Sequence, residues 1–424
     1  MPKFSFVVTH LSSDTNARVS EFTLHDKIEL PIFMPVATYG AMRTVPVDDL
    51  KHDDLLHGGI ILSNTYHLRN LNKNIKMFMN YNQSMLTDSG GFQIQSLPCE
   101  ITDDGVEFTL ENKIFSSKIF RPEDSMAIQH KLGSDIIMQL DDVVNPLEDK
   151  NRHKIAVDRS IKWLDRAIDE LIKLNSIKNN TELTNVETDS CKKIKNSLIF
   201  NNQTLFPIIQ GGLNEDLRKK SVDEILMREP SGLAIGGMCG GEDKISFANI
   251  ISYTVKYLQM KCYKGPIYVM GVGYPDDIVI CCGLGTDMSD CVYPTRMGRN
   301  LKIFRDGADV DLRRMNEIKK QINDITKINK LIDTKLTEIT KCDCELCSYN
   351  VYYIHINKNI PNVVTLASKH NMKYMRDLCT RIRENIKKDR YKTFIEEYFR
   401  KKYGEGIPEW IKTVCNKEFN IEFK

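Results

Sequence analysis

The chain has 424 residues, enough for one large domain with additions or for two domains around a substantial core. Its 41% apolar and 27% charged content is ordinary for a soluble globular protein, and a formal net charge of +2 excludes capture of nucleic acid by overall charge, so any such partner must be held by a local patch. No apolar run approaches the roughly 18 residues of a spanning helix, and Met1 to Val8 lacks the flanks and length of a signal peptide, so the chain reads as soluble and intracellular.

Taken in order, the chain repeats one theme: a short apolar run ends abruptly in small or polar residues, and a helix-like stretch follows. Gly59-Ile60-Ile61-Leu62 ends in Ser63-Asn64-Thr65-Tyr66-His67, and Met85-Leu86-Thr87 ends in Asp88-Ser89-Gly90-Gly91-Phe92-Gln93. Asp135-Ile136-Ile137-Met138-Gln139-Leu140 ends in Asp141-Asp142, Leu205-Phe206-Pro207-Ile208-Ile209 in Gln210-Gly211-Gly212, and Leu233-Ala234-Ile235 in a Gly-rich run to Gly241. Tyr268-Val269-Met270 then ends in Gly271-Val272-Gly273. Continuous apolar strands alternating with helices imply a parallel sheet covered on both faces. Six such units fit a (β/α)8 barrel, whose polar residues at strand C-termini converge on one mouth.

Between strands, Val157, Ile161, Leu164, Ile168 and Leu171 recur at helical spacing over Arg152 to Leu174, and Asn214 is a cap for a helix reaching about Arg228. Asn175 to Thr204 is rich in Asn, Lys, Ser and Thr and reads as a flexible insertion. Next comes Thr286 to Arg299, where Asp287 and Asp290 stand beside Arg296 and Arg299. Two readings are open. One is a structural Asp–Arg salt bridge; the other makes Asp290 a nucleophile on a sugar carbon, with the arginines holding the polyanion that carries the sugar. Asp88 is likewise open between a helix cap in a tight turn and a group with chemistry to perform.

Arg313 to Lys341 carries Ile318, Ile322, Ile325 and Ile328 at roughly helical spacing and leads toward Cys342-Asp343-Cys344-Glu345-Leu346-Cys347. Three thiols in six residues can converge on one ion, for which zinc wants four ligands; a redox cluster is the alternative. The other cysteines are scattered, as buried small side chains are. Met372 to Lys402 reads as two helices with a charged, solvated face or a docking surface. The barrel is expected to span 1–312 with its insertion at about 175–204, and 313–424 to supply a linker helix, the metal-binding part and C-terminal helices packed on the barrel.

With these motifs in place the chain resembles the tRNA-guanine transglycosylases, most closely their eukaryotic, queuine-using catalytic subunits. The resemblance runs from about Phe6 to Phe399, apart from the insertion and a divergent Arg305 to Lys341. It rests on Thr-Asp-Ser-Gly-Gly-Phe-Gln from Thr87, Met-Gln-Leu-Asp-Asp-Val-Val from Met138, and Gln-Gly-Gly from Gln210. Ile-Gly-Gly from Ile235, Met-Gly-Val-Gly-Tyr from Met270, Asp-Cys-Val-Tyr-Pro-Thr-Arg from Asp290 and the cysteine cluster follow in the family's order.

The resemblance implies a pentosyltransferase that exchanges guanine at the wobble position of GUN tRNAs (Asp, Asn, His and Tyr acceptors) for queuine, through a covalent Asp–ribose intermediate. It makes Asp290 the nucleophile and Asp88 the general acid/base. It gives the base to Asp141, Gln210 and the Gly237 N–H at its edge, to Phe92 and Met270 at its faces, and to the Met238 carbonyl at its amine. Gly240 and Val143 match positions whose small side chains admit queuine, and Arg296 and Arg299 match contacts to the anticodon loop. Cys342, Cys344, Cys347 and His370 are the implied ligands of one structural zinc, His370 being preferred to His355. A homologous non-catalytic accessory subunit is the implied partner, ahead of a homodimer, in the cytoplasm with peripheral association at the mitochondrial outer membrane. Two alternatives stand: a catalytically silent accessory subunit, and an unrelated barrel glycosidase. Ser289 departs from the family's usual Phe, and Leu301 falls near a usual Gly.

Overall fold

The computed structural model describes residues 4–52, 59–109, 119–178, 198–200, 202–314, 334–357, 359 and 361–423. Its centre is a parallel sheet of eight strands: β1 (Ile32–Ala37), β2 (Ile61–Asn64), β3 (Met85–Asp88), β4 (Ile136–Met138), β5 (Gln203–Phe206 and Ile208–Ile209), β6 (Leu233–Ile235), β7 (Ile267–Val269) and β8 (Met288–Cys291). β4 pairs with β3, β3 with β2, β2 with β1, β1 with β8, β8 with β7 and β7 with β6. β5 supplies both ends, since Gln203–Phe206 pairs with β4 and Ile208–Ile209 with β6. The changeover falls at Pro207, which has no N–H to offer a ladder. There Phe206 O accepts from Gln139 N at 3.3 Å while Pro207 O accepts from Ala234 N at 2.9 Å, so adjacent carbonyls serve opposite neighbours and the sheet closes into a (β/α)8 barrel.

Alternation along each strand decides what faces inward. Leu62, Leu86, Ile136, Ala234, Tyr268 and Met288 share an inner core with Phe22, Leu24, Ile28 and Leu30. These last four belong to or follow an N-terminal antiparallel sheet (Ser5–Leu11, Arg18–Thr23, Lys27–Leu30) that plugs the barrel. Two residues beyond the inward set, at the strands' C-terminal ends, stand Asn64, Asp88, Met270 and Asp290. The intervening positions, such as Ile137, Leu205, Ile235 and Val269, face the helical layer.

The helix expected over 152–174 runs Lys150–Lys178, with Val157, Leu164 and Leu171 fully buried, and the Asn214-capped helix runs Glu215–Leu226. Asn214 Oδ1 accepts from Leu217 N at 3.0 Å, the cap its side chain predicts. The range 175–204 is not loop at its ends: Asn175 is buried in the last turns of the first helix, and Ile199–Phe200 forms a hairpin with Gln203–Phe206. Residues 179–197, the middle of that range, and 315–333, which hold the spaced isoleucines of the expected linker helix, lie outside the described residues.

The C-terminal helices Pro361–Lys387 and Tyr391–Tyr403 close the ring, with Met375, Leu378, Cys379, Ile382 and Ile386 buried in the outer core. Some of their charges tie them to other elements, as in Arg381–Asp306 and Arg383–Glu29. No helix among the described residues is long and apolar enough to cross a membrane.

Candidate active site

The two carboxylates of the 286–299 stretch separate cleanly. Asp287 accepts from Arg18 through Nε at 2.9 Å and Nη2 at 2.6 Å and from Ile267 N at 2.7 Å, a buried fork that is the structural salt bridge. Asp290 has no cationic partner among the described residues; its Oδ1 accepts from Tyr268 Oη at 2.6 Å and Gly271 N at 2.8 Å. Burial raises its pKa above the usual carboxylate range, and those two donors pull it back.

Asp88 ends β3 in register with Asn64 of β2. Asn64 Nδ2 donates to Asp88 Oδ2 at 3.1 Å, and Gly90 N donates to the same oxygen at 3.2 Å. The N-cap of the helix that follows is Gly90, so the turn does not need Asp88 as its cap. Burial, and then the charge of Asp290, push the Asp88 carboxyl up to about 6. Asp141 is pushed by burial to about 7, against the hydrogen bond it accepts from Gln210 Nε2 at 2.5 Å. A Cβ on Gly91 would lie 2.9 Å from Asp141 Oδ1 and 3.0 Å from Val143 Cγ2, so the Asp88 loop rests directly on Asp141 and Val143. Three acidic side chains therefore share one mouth with no Lys or Arg paired to them among the described residues, whereas neighbouring Asp142 is held by Arg152 and Arg159.

Of the remaining predicted base contacts, Gln210, Gly237, Met238, Gly240 and Met270 follow β5, β6 and β7, while Phe92 follows β3. A Cβ on Gly236 would lie 3.4 Å from both Gln210 Nε2 and Met270 Sδ, and one on Gly237 (φ +65°) would strike Gln210 Oε1, a buried atom with no hydrogen-bond partner. Glu242 holds the loop beyond with both oxygens, accepting from Cys239 N at 2.7 Å and Gly240 N at 2.9 Å. In a trans peptide this turns the Met238 carbonyl away from Glu242. Gly240 does not face open space: a Cβ there would meet Pro146 Cδ at 2.5 Å and Gln95 Nε2 at 3.4 Å. Phe92 stands on the rim, 65% exposed, and Met270 is half-buried.

Arg296 and Arg299 lie on the short helix Tyr293–Arg299 directly after β8. No carboxylate pairs with either among the described residues, and burial with Arg43 and Arg296 nearby works against the Arg299 charge. Concentrated positive charge left without anions marks a surface suited to a polyanion. Ser289, on the outer face of β8, is 5% exposed, and the space beside it, lined by Ile32, Ile278, Cys281, Cys282 and Cys379, is too small for a water molecule. The small side chain is thus compensated by its neighbours. Leu301 is buried with left-handed backbone at φ +54°, the conformation that favours glycine there.

Cys342, Cys344, Cys347 and His370 bring one donor atom each within 4.8 Å of one another, and His370 Nδ1 lies 3.3 Å from the sulfurs of both Cys344 and Cys347. His370 Nε2 is 2.8 Å from Phe304 O, which fixes the ring so that Nδ1 points at the thiols. Four donors so placed can hold a metal ion; an ion with bonds of about 2.3 Å to sulfur requires ligand separations of roughly 3.8 Å. His355 is not in the group. The other described cysteines are free thiols, several of them buried.

Tyr268, Asn64 and the Gly271 N–H were not among the expected site residues, although both side chains sit on inward strand positions and were recoverable from the alternation. Fold and site together define a barrel whose mouth gathers buried carboxylates, a constellation suited to nucleophilic and acid–base chemistry. The sequence profile of the queuine tRNA-ribosyltransferase family matches residues 13–404, and the chain belongs to that family. It is 37% identical to the queuine tRNA-ribosyltransferase catalytic subunit of Caenorhabditis elegans over 428 residues, 94% of this chain and 95% of that one. The corresponding catalytic subunit of Schizosaccharomyces pombe is 33% identical over 432 residues, covering 96% and 95%. A queuine tRNA-ribosyltransferase of Thermoanaerobacter sp. (strain X514) is 36% identical over 407 residues, covering 92% and 96%.

Proposed function

We propose that the chain is a tRNA-guanine transglycosylase that replaces guanine at the wobble position of GUN tRNAs by queuine in two displacements at ribose C1′. The observation that carries this reading is the trio Asp88, Asp141 and Asp290, buried in one mouth without cations. Asp290 Oδ1 is committed to Tyr268 and Gly271, leaving Oδ2 to attack C1′. The C1′–N9 pair passes to guanine, Asp88 delivers its proton to the departing base, and a ribosyl ester remains. The incoming base then gives a proton to Asp88 and attacks C1′, the ester bond breaks, and Asp290 is restored; two inversions retain configuration.

In this reading Asp141 accepts from guanine N1–H and its exocyclic amine, Gln210 and the Gly237 N–H donate to O6, Phe92 and Met270 cover the faces, and the Met238 carbonyl takes the amine of the incoming base. Gly240 and Val143 keep the side chains around the base small, which favours queuine. Arg296 and Arg299 hold the anticodon loop. Because Asp141 must be ionised to accept from guanine, and burial holds it at about 7, guanine affinity is expected to rise about tenfold per unit from pH 5 to 7 and level off above. Equilibrium binding of labelled guanine across that range, with Asp141→Asn giving weak and flat binding, checks this.

Cys342, Cys344, Cys347 and His370 would hold one zinc, whose four protein ligands leave no place for water, so its contribution is to folding. Cys344→Ser is expected to release the metal, read by elemental mass spectrometry, and to lower the melting temperature by about 10 °C. The division into a barrel over 1–312 and a metal-bearing part over 313–424, a homologous accessory partner in preference to a homodimer, and a cytoplasmic location with peripheral association at the mitochondrial outer membrane belong to the same reading.

The test is incorporation of labelled guanine into unmodified GUN tRNA, with and without the accessory subunit. Incorporation establishes transglycosylation. Tight tRNA binding without incorporation in either mixture would favour the silent accessory subunit instead.

A further inference from the structure

The helix Tyr293–Arg299 is seven residues long, and its N-cap Val292 offers no side-chain cap, so it cannot fix its own direction. Its position comes from the helix Pro361–Lys387, against which it packs. Asn371, fully buried there, donates through Nδ2 to Pro294 O at 3.0 Å and to Lys302 O at 2.9 Å, and its Oδ1 accepts from Phe304 N at 2.9 Å. One carbonyl lies in the first turn of the short helix and the other just past its end, so a single amide ties down both termini. Between them, a Cβ on Gly298 would lie 2.5 Å from Ser368 Cα, which means the two backbones touch. Only an amide side chain of this length supplies two donors and an acceptor in one plane.

We propose that Asn371 is a positioning residue for RNA binding: by clamping Pro294 O and Lys302 O it sets the angle at which Arg296 and Arg299 are presented beside Asp290. This rests on the reading of those arginines as tRNA contacts. Asn371 touches neither RNA nor base, and acts through the helix alone.

Asn371→Asp keeps the acceptor for Phe304 N but sets an oxygen against both carbonyls, and Asn371→Ala removes all three bonds. For each variant, the affinity for GUN tRNA is measured against salt, alongside guanine-exchange kinetics, metal content and melting temperature. Both variants are expected to bind tRNA about tenfold more weakly at 0.15 M salt, with kcat at saturating tRNA within about threefold of wild type. The slope of log affinity against log salt should shrink by about 0.7 to 1.4, one or two displaced charge contacts at roughly 0.7 each. Metal content should not change. In an Arg296→Ala/Arg299→Ala background, Asn371→Asp should add little further loss. A lowered melting temperature with an unchanged salt slope, or an undiminished loss in the arginine-free background, would overturn the proposal. Absence of guanine exchange by the wild-type chain counts against the transglycosylase reading, while the slope and the double-mutant comparison still decide the role of Asn371.

Discussion

Asp290→Asn is expected to lower guanine exchange by about 10⁴-fold or more while leaving tRNA affinity within about threefold. An amide is nearly isosteric with the carboxylate and can still accept from Tyr268 and Gly271 through its oxygen, so the fold and the mouth should survive. What disappears is the anionic oxygen that attacks C1′ in the proposed mechanism. The wild-type chain incubated with tRNA and no free base should yield an adduct that survives denaturing electrophoresis, because an ester links Asp290 to ribose; the variant should yield none. The arginines carry tRNA affinity in this scheme and are untouched, so binding and chemistry separate. Residual exchange within tenfold of wild type would place the nucleophile elsewhere.

The candidate site was legible in the sequence where its residues end apolar runs. Asp88 follows Met85-Leu86-Thr87 and Asp141 follows Ile136 to Leu140, and strand alternation then turns Asp88 inward after Leu86. Two barrel strands gave no such signal. β8 is Met288-Ser289-Asp290-Cys291, with hardly an apolar residue, because the strand is itself part of the site; β1 is broken by Pro35. The N-terminal plug went unread as well: its first strand is mostly exposed, and its third, Lys27–Leu30, alternates over only four residues. Partners of the candidate catalytic groups were the other gap. That Asp287 takes Arg18 and leaves Asp290 to Tyr268 depends on contacts across 269 and 22 residues of chain, which spacing cannot supply.

The buried anions also carry a cost that can be measured. Relative to an ordinary carboxyl near 3.8, Asp88 is held at about 6, so between those values the folded chain binds more protons than the unfolded one. Stability contributed by this group is therefore present at low pH and lost as pH rises through about 6, the reverse of a salt-bridged Asp. At pH 7.5 the full cost stands, on the order of 2 kcal/mol once coupling to Asp290 is discounted. Asp88→Asn should accordingly raise the melting temperature by a few degrees at pH 7.5, leave it nearly unchanged at pH 4, and reduce exchange by about 10²–10⁴-fold.

Its effect on the pH profile follows from the same charges. In the proposed mechanism protonated Asp88 is the acid consumed in the first displacement and ionised Asp141 holds the base, so wild-type kcat/KM should rise to about pH 6, stay level to about 7 and fall above, and the alkaline kcat limb should lie higher because bound RNA phosphates disfavour the Asp88 anion further. In the same mechanism, esterification of Asp290 removes the negative charge that raises Asp88, which drops the Asp88 pKa and releases its proton as guanine leaves. Asp290→Asn mimics that loss of charge. The Asp88 carboxyl, followed by carbon NMR, should titrate below about 6 in the variant and near 6 in wild type; equal values would mean that burial alone sets the proton affinity of Asp88, and that the two aspartates do not cycle charge between the steps.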